Sequence, residues 1–428
     1  MQNSAKSPWW WIPSLYFGQG IPYAVVMTMS LVMYKNMQVS NTDIALYTSW
    51  LSLPWVIKPL WGPFVDMCRT KRFWILAMQF FIGVAFALVA LTIPTDRFFQ
   101  MTLAVFWLMA FSSATHDIAA DGFYMMGLKE HEQAAFVGVR STFYRVANIA
   151  GQGALVYLAG HLTQSTGSVQ LAWSAVFVVL SGMFIALAVY HHVVLPLPAA
   201  DSVRPPVASP MREYLRVFGE FFAKKHILAI LAFFLLYRFG EAQLLKMAIP
   251  FMLDPATAGG LGLTTQQVGI VYGTIGMASL TLGGILGGLA ISRFGLKAML
   301  WPMALCLNVP HLVYVYLAFD LPTNIWVIGA AVAVEQLGYG FGFAAYLLYM
   351  IMVSNGPNKT AHYALCTGFM ALGMMLPGMM SGYLQTQLGY AHFFVWIFLA
   401  AGPALAATAL VRVQIPADFG CKRDTPTA

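Results

Sequence analysis

The chain alternates long apolar runs with short polar turns, and the runs share a common length. A helix that crosses a bilayer needs about 20 mostly apolar residues, and the pattern predicts twelve such segments. The first half holds residues 9–33, 44–65, 73–93, 99–128, 133–162 and 171–195; the second holds 227–253, 267–292, 298–319, 325–353, 362–385 and 392–413. Between them lies 196–225, rich in proline and basic residues (Pro196, Pro198, Pro205, Pro206 and Pro210, then Arg212, Arg216, Lys224 and Lys225). It reads as a linker leading into an amphipathic surface helix at 211–222. The predicted fold class is all-α and membrane-integral. It comprises twelve transmembrane helices in two six-helix, pseudo-symmetric bundles, 1–195 and 226–428, the second ending in a short cytoplasmic tail.

Lysine and arginine placement sets the orientation. One side collects Lys6, Arg69, Lys71, Arg72, Lys129, the linker cations, Arg293, Lys297, Lys359, Arg412, Lys422 and Arg423, while the other has only Lys35 and Arg97. That asymmetry predicts both termini and the linker in the cytoplasm. A weak internal repeat agrees with two bundles: Gly62 to Arg72 and Gly288 to Lys297 are each a glycine-led helix end followed by a basic turn. Parallel repeats of six spans are a transporter signature.

Composition narrows the class. Of 428 residues, 59% are hydrophobic and 9% charged, against roughly 25% charged in soluble domains, which excludes a soluble protein. The net charge of +7 is spread through loops between spans and points to membrane orientation, not to nucleic acid. Cys68, Cys306, Cys366 and Cys421 have no paired spacing and suggest neither a disulfide framework nor a metal site. The first apolar run exceeds a signal-peptide core and reads as an uncleaved span.

Ionisable residues inside spans then become the candidate chemistry, because they are costly in lipid and must face a cavity or a partner. Asp117 and Asp121 are four apart and share a helix face. Depth predicts Asp121 beside Arg140 and Asp117 beside Arg145. In the second half Arg238 and Glu335 have similar depth, with Glu241 one turn from Arg238. Two readings stand for these groups, a proton-coupled gate and static pairs that pin helices; for Glu241 and Glu335 the mid-membrane depth favours the gate. His116 reads either as a proton relay or, more simply, as a hydrogen-bond donor.

In the first span Tyr16, Gln19 and Tyr23 share a face, with Gly18, Gly20 and Pro22 loosening the helix between them. This face reads as a cavity wall for sugar or peptide stacking, or as packing with interfacial anchoring. Asn148 and Gln152 extend the Arg145 stripe, and Tyr144 joins the same cavity set. Gly283, Gly284, Gly287 and Gly288 read as a close-packing surface. No enzymatic or nucleotide-binding motif occurs, so no cofactor, metal or catalytic residue is expected, and any pumping must draw on an ion or substrate gradient.

Several of these stretches resemble the AmpG-like permeases of the major facilitator superfamily, related to acetyl-CoA transporters. They are Gly18–Pro22; Leu53 to Asp66; Ser113-Ala-Thr-His-Asp117-Ile-Ala-Ala-Asp121, similar to the family's S-A-T-Q-D-I-x-x-D; Tyr237-Arg-Phe-Gly-Glu241; and Thr360 to Leu365 with Ala371-Leu-Gly and Pro377-Gly. Departures are His116 for a glutamine, and Gly122 to Met125 where the family commonly has alanine, tyrosine and arginine. The resemblance implies the major facilitator fold, alternating access, and proton-driven import of anhydro-muropeptides for cell-wall recycling across a bacterial inner membrane. The alternative within the superfamily is a siderophore or other amphipathic solute. The expected partners are a small-molecule substrate, protons and the lipid bilayer, with the chain a monomer. Asp66, Arg69 and Arg72 are the expected cytoplasmic gate.

Overall fold

Apolar runs this long fold as helices because a backbone in lipid must satisfy its own hydrogen bonds. The computed structural model describes residues 7–128, 130–198, 201, 210–356, 358–417 and 419–420, and among them there is no strand. The helices, in chain order, are α1 (Pro8–Asn36), α2 (Asn41–Trp50 and Leu53–Cys68), α3 (Lys71–Thr92), α4 (Phe98–Gly127) and α5 (Glu130–Ile149, continuing to Leu155–Thr166). They continue with α6 (Val169–Val194), α7 (Ile227–Leu253), α8 (Thr265–Phe294), α9 (Leu296–Asp320) and α10 (Ile325–Val353). The final stretch, Ala361–Arg412, turns at Gly389 (φ 70°) into α11 and α12. Nine stretches of the described residues are long and apolar enough to cross a membrane, the last holding two of the predicted spans. The other two predicted spans are α2, interrupted just before Pro54, and α5, which carries Arg140 and Arg145. The linker helix stands at Pro210–Phe222, where amphipathic patterning placed it. Lys6, Lys129, Arg204, Lys422 and Arg423 of the orientation argument lie outside the described residues.

Local chemistry fixes the helix ends. Thr70 caps α3 by accepting from the Phe73 N–H at 3.2 Å. The Asp201 carboxylate accepts from the Lys71 and Arg72 N–H groups at 2.6 and 3.0 Å, an anion on the positive end of the helix dipole. Ser168 caps α6 after Gly167 closes α5 in the left-handed conformation. In α1, Pro22 is followed by a wide π-helical turn over Val25–Met29, the local adjustment expected beside a missing N–H.

The residues gather into two compact units. One is Met1–Val39, Leu51–Pro210 and Thr264–Gly273; the other is Ser40–Trp50, Met211–Leu263 and Thr274–Ala428. In the first, Trp11, Ile12, Leu15, Tyr16, Phe123 and Tyr124 form part of one apolar cluster. Gly20 lets α1 approach α5 closely, since a Cβ there would lie 2.7 Å from the Ala147 methyl. In the second unit, Phe233, Phe234, Tyr237, Tyr346 and Tyr349 interlock between α7 and α10.

The α8 glycines act as the pattern predicted at Gly283 and Gly287 and are idle at Gly288. A Cβ on Gly283 would stand 2.1 Å from the Leu337 carbonyl oxygen of α10, whereas Gly288 faces open space. Small residues of this kind allow van der Waals contact between membrane helices that have no hydrophobic driving force to join. Gly283→Leu should therefore lower the apparent melting temperature of the purified protein in detergent, and Gly288→Leu should leave it unchanged. Equal effects would contradict the packing role.

Candidate functional site

The polar residues of the first unit converge on two carboxylates of α4. Asp117 accepts from Lys58 of α2 through Oδ2 and from the Gln19 side-chain amide of α1 through Oδ1. Asp121, one turn on, forms an ion pair with Arg140 of α5 at 2.9 Å and accepts from the Tyr16 hydroxyl at 3.2 Å. The Arg140 guanidinium lies over the rings of Tyr16 and Tyr124, 4.7 and 5.4 Å from their centroids, which adds cation–π attraction to the ion pair. The Arg140 and Asp121 side chains keep 32% and 38% of their surface exposed, so this pair is only partly buried.

The expected neighbours Asp121 and Arg140 are thus brought together. For Asp117 the sequence pointed to Arg145, but the bonds described come from Lys58 and Gln19. The shift follows from α2, which packs on α4 and delivers a lysine whose partner could not be assigned by counting depth along α4 and α5 alone. Asn148 donates to the Tyr144 backbone carbonyl at 2.9 Å, and Gln152 to Asn148 at 3.4 Å. Tyr23 packs edge-on against Trp55.

His116 enters a buried chain that the sequence did not reveal. Its Nε2 lies 3.1 Å from the Gln79 amide nitrogen, the Gln79 oxygen 2.8 Å from Nδ1 of His191, and His191 Nε2 2.9 Å from the Ser14 hydroxyl. With Gln79 donating to one imidazole and accepting from the other, the chain is satisfied with both histidines neutral. It ties α1, α3, α4 and α6 together.

The second unit holds a different arrangement. Glu241 of α7, His311 of α9 and Glu335 of α10 are wholly buried, and one ligand atom from each lies within 4.8 Å of the other two. His311 Nε2 is 3.1 Å from Glu241 Oε2, and Gln336 donates to Glu335 at 2.9 Å. Arg238, expected at the depth of Glu335, donates to the Tyr339 hydroxyl and lies over the Phe343 ring, 4.6 Å from its centroid. Lys246 donates to Thr48 at 3.1 Å.

At the expected cytoplasmic gate, Arg72 donates to the His192 carbonyl oxygen at 2.5 Å, and Arg69 lies over the Phe73 ring. The Asp66 side chain is outside the described residues.

Known proteins share this fold. The model of the Major Facilitator Superfamily matches residues 14–364. The chain belongs to the Major Facilitator Superfamily. The Anhydromuropeptide permease of Escherichia coli K12 is 24% identical over 404 residues, covering 91% of this chain and 77% of the relative. A Haemophilus influenzae protein is 26% identical over 407 residues, covering 91% of each. Among solved structures, a bacterial homologue of the human lysosomal transporter Spinster superposes with a TM-score of 0.69 at 16% identity, over 96% of this chain and 97% of that one. The protein is a multi-pass membrane transporter of small molecules, of the secondary type, and its relatives include AmpG-like permeases as the sequence motifs implied.

Several residues of this facilitator escaped the sequence reading. Gln79 and His191 sit in otherwise apolar spans, and only their polarity in such a context marked them. His311 follows Pro310 in the middle of an apolar run, a signal that an intramembrane ionisable group should have been weighed there. In the second unit Asn41 donates to Gln385 at 2.9 Å and Tyr390 donates to Asp254 at 2.6 Å; these residues lie at helix ends, where polarity is ordinary.

The buried chain yields a stability prediction. Gln79→Leu strands two buried imidazoles, each costing about 1–3 kcal/mol if left without its partner. The apparent melting temperature in detergent should fall clearly below that of the wild type. An unchanged value would show that the chain is not a structural tie.

Proposed function

We propose that this facilitator imports anhydromuropeptides, sugar-linked peptides from the periplasm, across the bacterial inner membrane, driven by the proton gradient and operating by alternating access. The observation that carries the substrate is the match of the Anhydromuropeptide permease across 91% of the chain. The first unit's polar network suits such a solute. The partly exposed Arg140 offers a bidentate donor for a peptide or sugar carboxylate, and Tyr23 offers a ring against which a sugar face stacks, while Tyr16, buried beneath Arg140, holds that guanidinium in place. Gln19, Tyr144, Asn148 and Gln152 add amide and hydroxyl groups along the same stripe. Proton drive accords with interior carboxylates in a chain without a nucleotide-binding motif. The lysine and arginine asymmetry supports cytoplasmic termini, and we take the halves 1–195 and 226–428 of a monomer as the rocking bodies, with Arg69 and Arg72 holding the cytoplasmic turn of the first.

The test is uptake of labelled anhydromuropeptide into energised right-side-out vesicles, with and without a protonophore. Accumulation that collapses with the protonophore is expected. Absence of uptake by well-folded protein would remove this substrate and bring siderophores and other amphipathic solutes forward. Within the same assay, Arg140→Lys keeps the charge opposite Asp121 but loses the planar fork and its stacking. The half-saturation concentration should rise roughly tenfold, equivalent to about 1.4 kcal/mol. An unaltered value would exclude Arg140 from the solute site.

A further inference from the structure

The two carboxylate groupings differ in how their charge is balanced. In the first unit each aspartate has its own cation, Lys58 for Asp117 and Arg140 for Asp121. Such a set is neutral without any added proton. In the second unit Glu241 and Glu335 stand together at zero exposure, and among the described residues the basic group set against them is His311, beside Glu241. Glu241 Oε1, Glu335 Oε1 and His311 Nδ1 are buried with no hydrogen-bond partner among the described residues. Two ionised carboxylates so close, in a place that water does not reach, are not sustainable; one must hold a proton, or the histidine must.

We propose that Glu241, His311 and Glu335, inside the second unit, are where the driving proton is held during transport. This rests on the reading of the chain as a proton-driven importer and assigns the ion to one site within it. The proton enters from water on the outer side and forms an O–H bond on a carboxylate. The His311 imidazole, hydrogen-bonded to Glu241, offers a second resting place. On the inner side that O–H bond breaks and the proton passes to cytoplasmic water.

The charged neighbours on the packed helices are committed elsewhere. On α7, Arg238 binds Tyr339 and the Phe343 ring, and Lys246 binds Thr48. On α9, Cys306 is exposed, and on α10 the Tyr339 hydroxyl receives Arg238. Asp43 of α2 is bound by Ser40 at 2.7 Å. On α11 the ring of His362 packs against Phe221 of the linker helix, and on α12 Arg412 donates to the Lys297 carbonyl oxygen. Where α12 meets the cluster it brings backbone, the Ile397 carbonyl oxygen, to Gly240, and that glycine leaves room for His311: a Cβ there would stand 3.4 Å from the imidazole.

The decisive experiment is an infrared difference spectrum of the purified full chain in lipid nanodiscs on raising the pH, with no substrate present. The wild type should show loss of a protonated-carboxyl C=O band. Glu335→Gln and Glu241→Gln should each remove or halve that band, Asp121→Asn should retain it, and His311→Asn should move its frequency. In reconstituted vesicles, Glu335→Gln should abolish protonophore-sensitive accumulation of labelled anhydromuropeptide while counterflow exchange persists, which also shows that the variant is folded. A band unaltered in both glutamate variants, or one lost instead in Asp121→Asn, would overturn the assignment. So would full accumulation by Glu335→Gln. Because the infrared arm needs no solute, failure of the muropeptide reading would appear only as absent wild-type uptake and would leave the proton site to be judged by its spectrum.

Discussion

Charge in a low-dielectric interior must be neutralised where it stands, and that constraint organises this transporter. Removing an isolated carboxylate or ammonium from water costs several kcal/mol even after the surroundings relax. The first unit meets the cost with protein cations: Lys58 and Arg140 answer Asp117 and Asp121, and Tyr16, Gln19 and Tyr124 complete the hydrogen-bonding and ring contacts. The second unit leaves Glu241 and Glu335 close together with one histidine, His311, bound to Glu241. The first arrangement is balanced by the protein's own cations; the second, on the proposal above, is balanced by a proton.

The helices that carry these groups are shaped to bring them together. The face bearing Tyr16, Gln19 and Tyr23 lies on the turns just before the wide turn at Val25–Met29, and Gly20 allows α1 to lie close against the α5 segment that carries Arg140, Tyr144 and Asn148. Behind that face, the Ser14–His191–Gln79–His116 chain fastens α1 to α3, α4 and α6. In the second unit Pro310 ends the first part of α9 at a short tight turn, and His311 projects from it toward Glu241. Helix irregularities and buried polar side chains coincide because a broken ladder is tolerated only where other polar groups are at hand.

Much of this was readable from the sequence. The period of apolar runs located the nine long apolar stretches of the described residues, and the linker helix fell where amphipathic patterning put it. The pair Asp121–Arg140 followed from counting depth along two spans consecutive in the chain. The same reasoning missed Lys58 as the partner of Asp117, since which helix lies across from α4 is a tertiary fact that spacing does not contain. His311 was missed because a lone histidine is weak beside two glutamates in a linear reading. Its meaning comes only from the folding of α7, α9 and α10 around one point. The AmpG-like motifs foretold the relatives, whereas composition alone went no further than a multi-span membrane protein.

The rule that interior charge must be matched locally is tested most directly by inverting one pair. Lys58→Asp and Asp117→Lys should each lower the apparent melting temperature of the purified protein sharply, because each sets like charges face to face. The double variant restores opposite charges and should recover most of the loss. A double variant no more stable than the two single variants would contradict the account, showing that what holds this region together is not charge compensation.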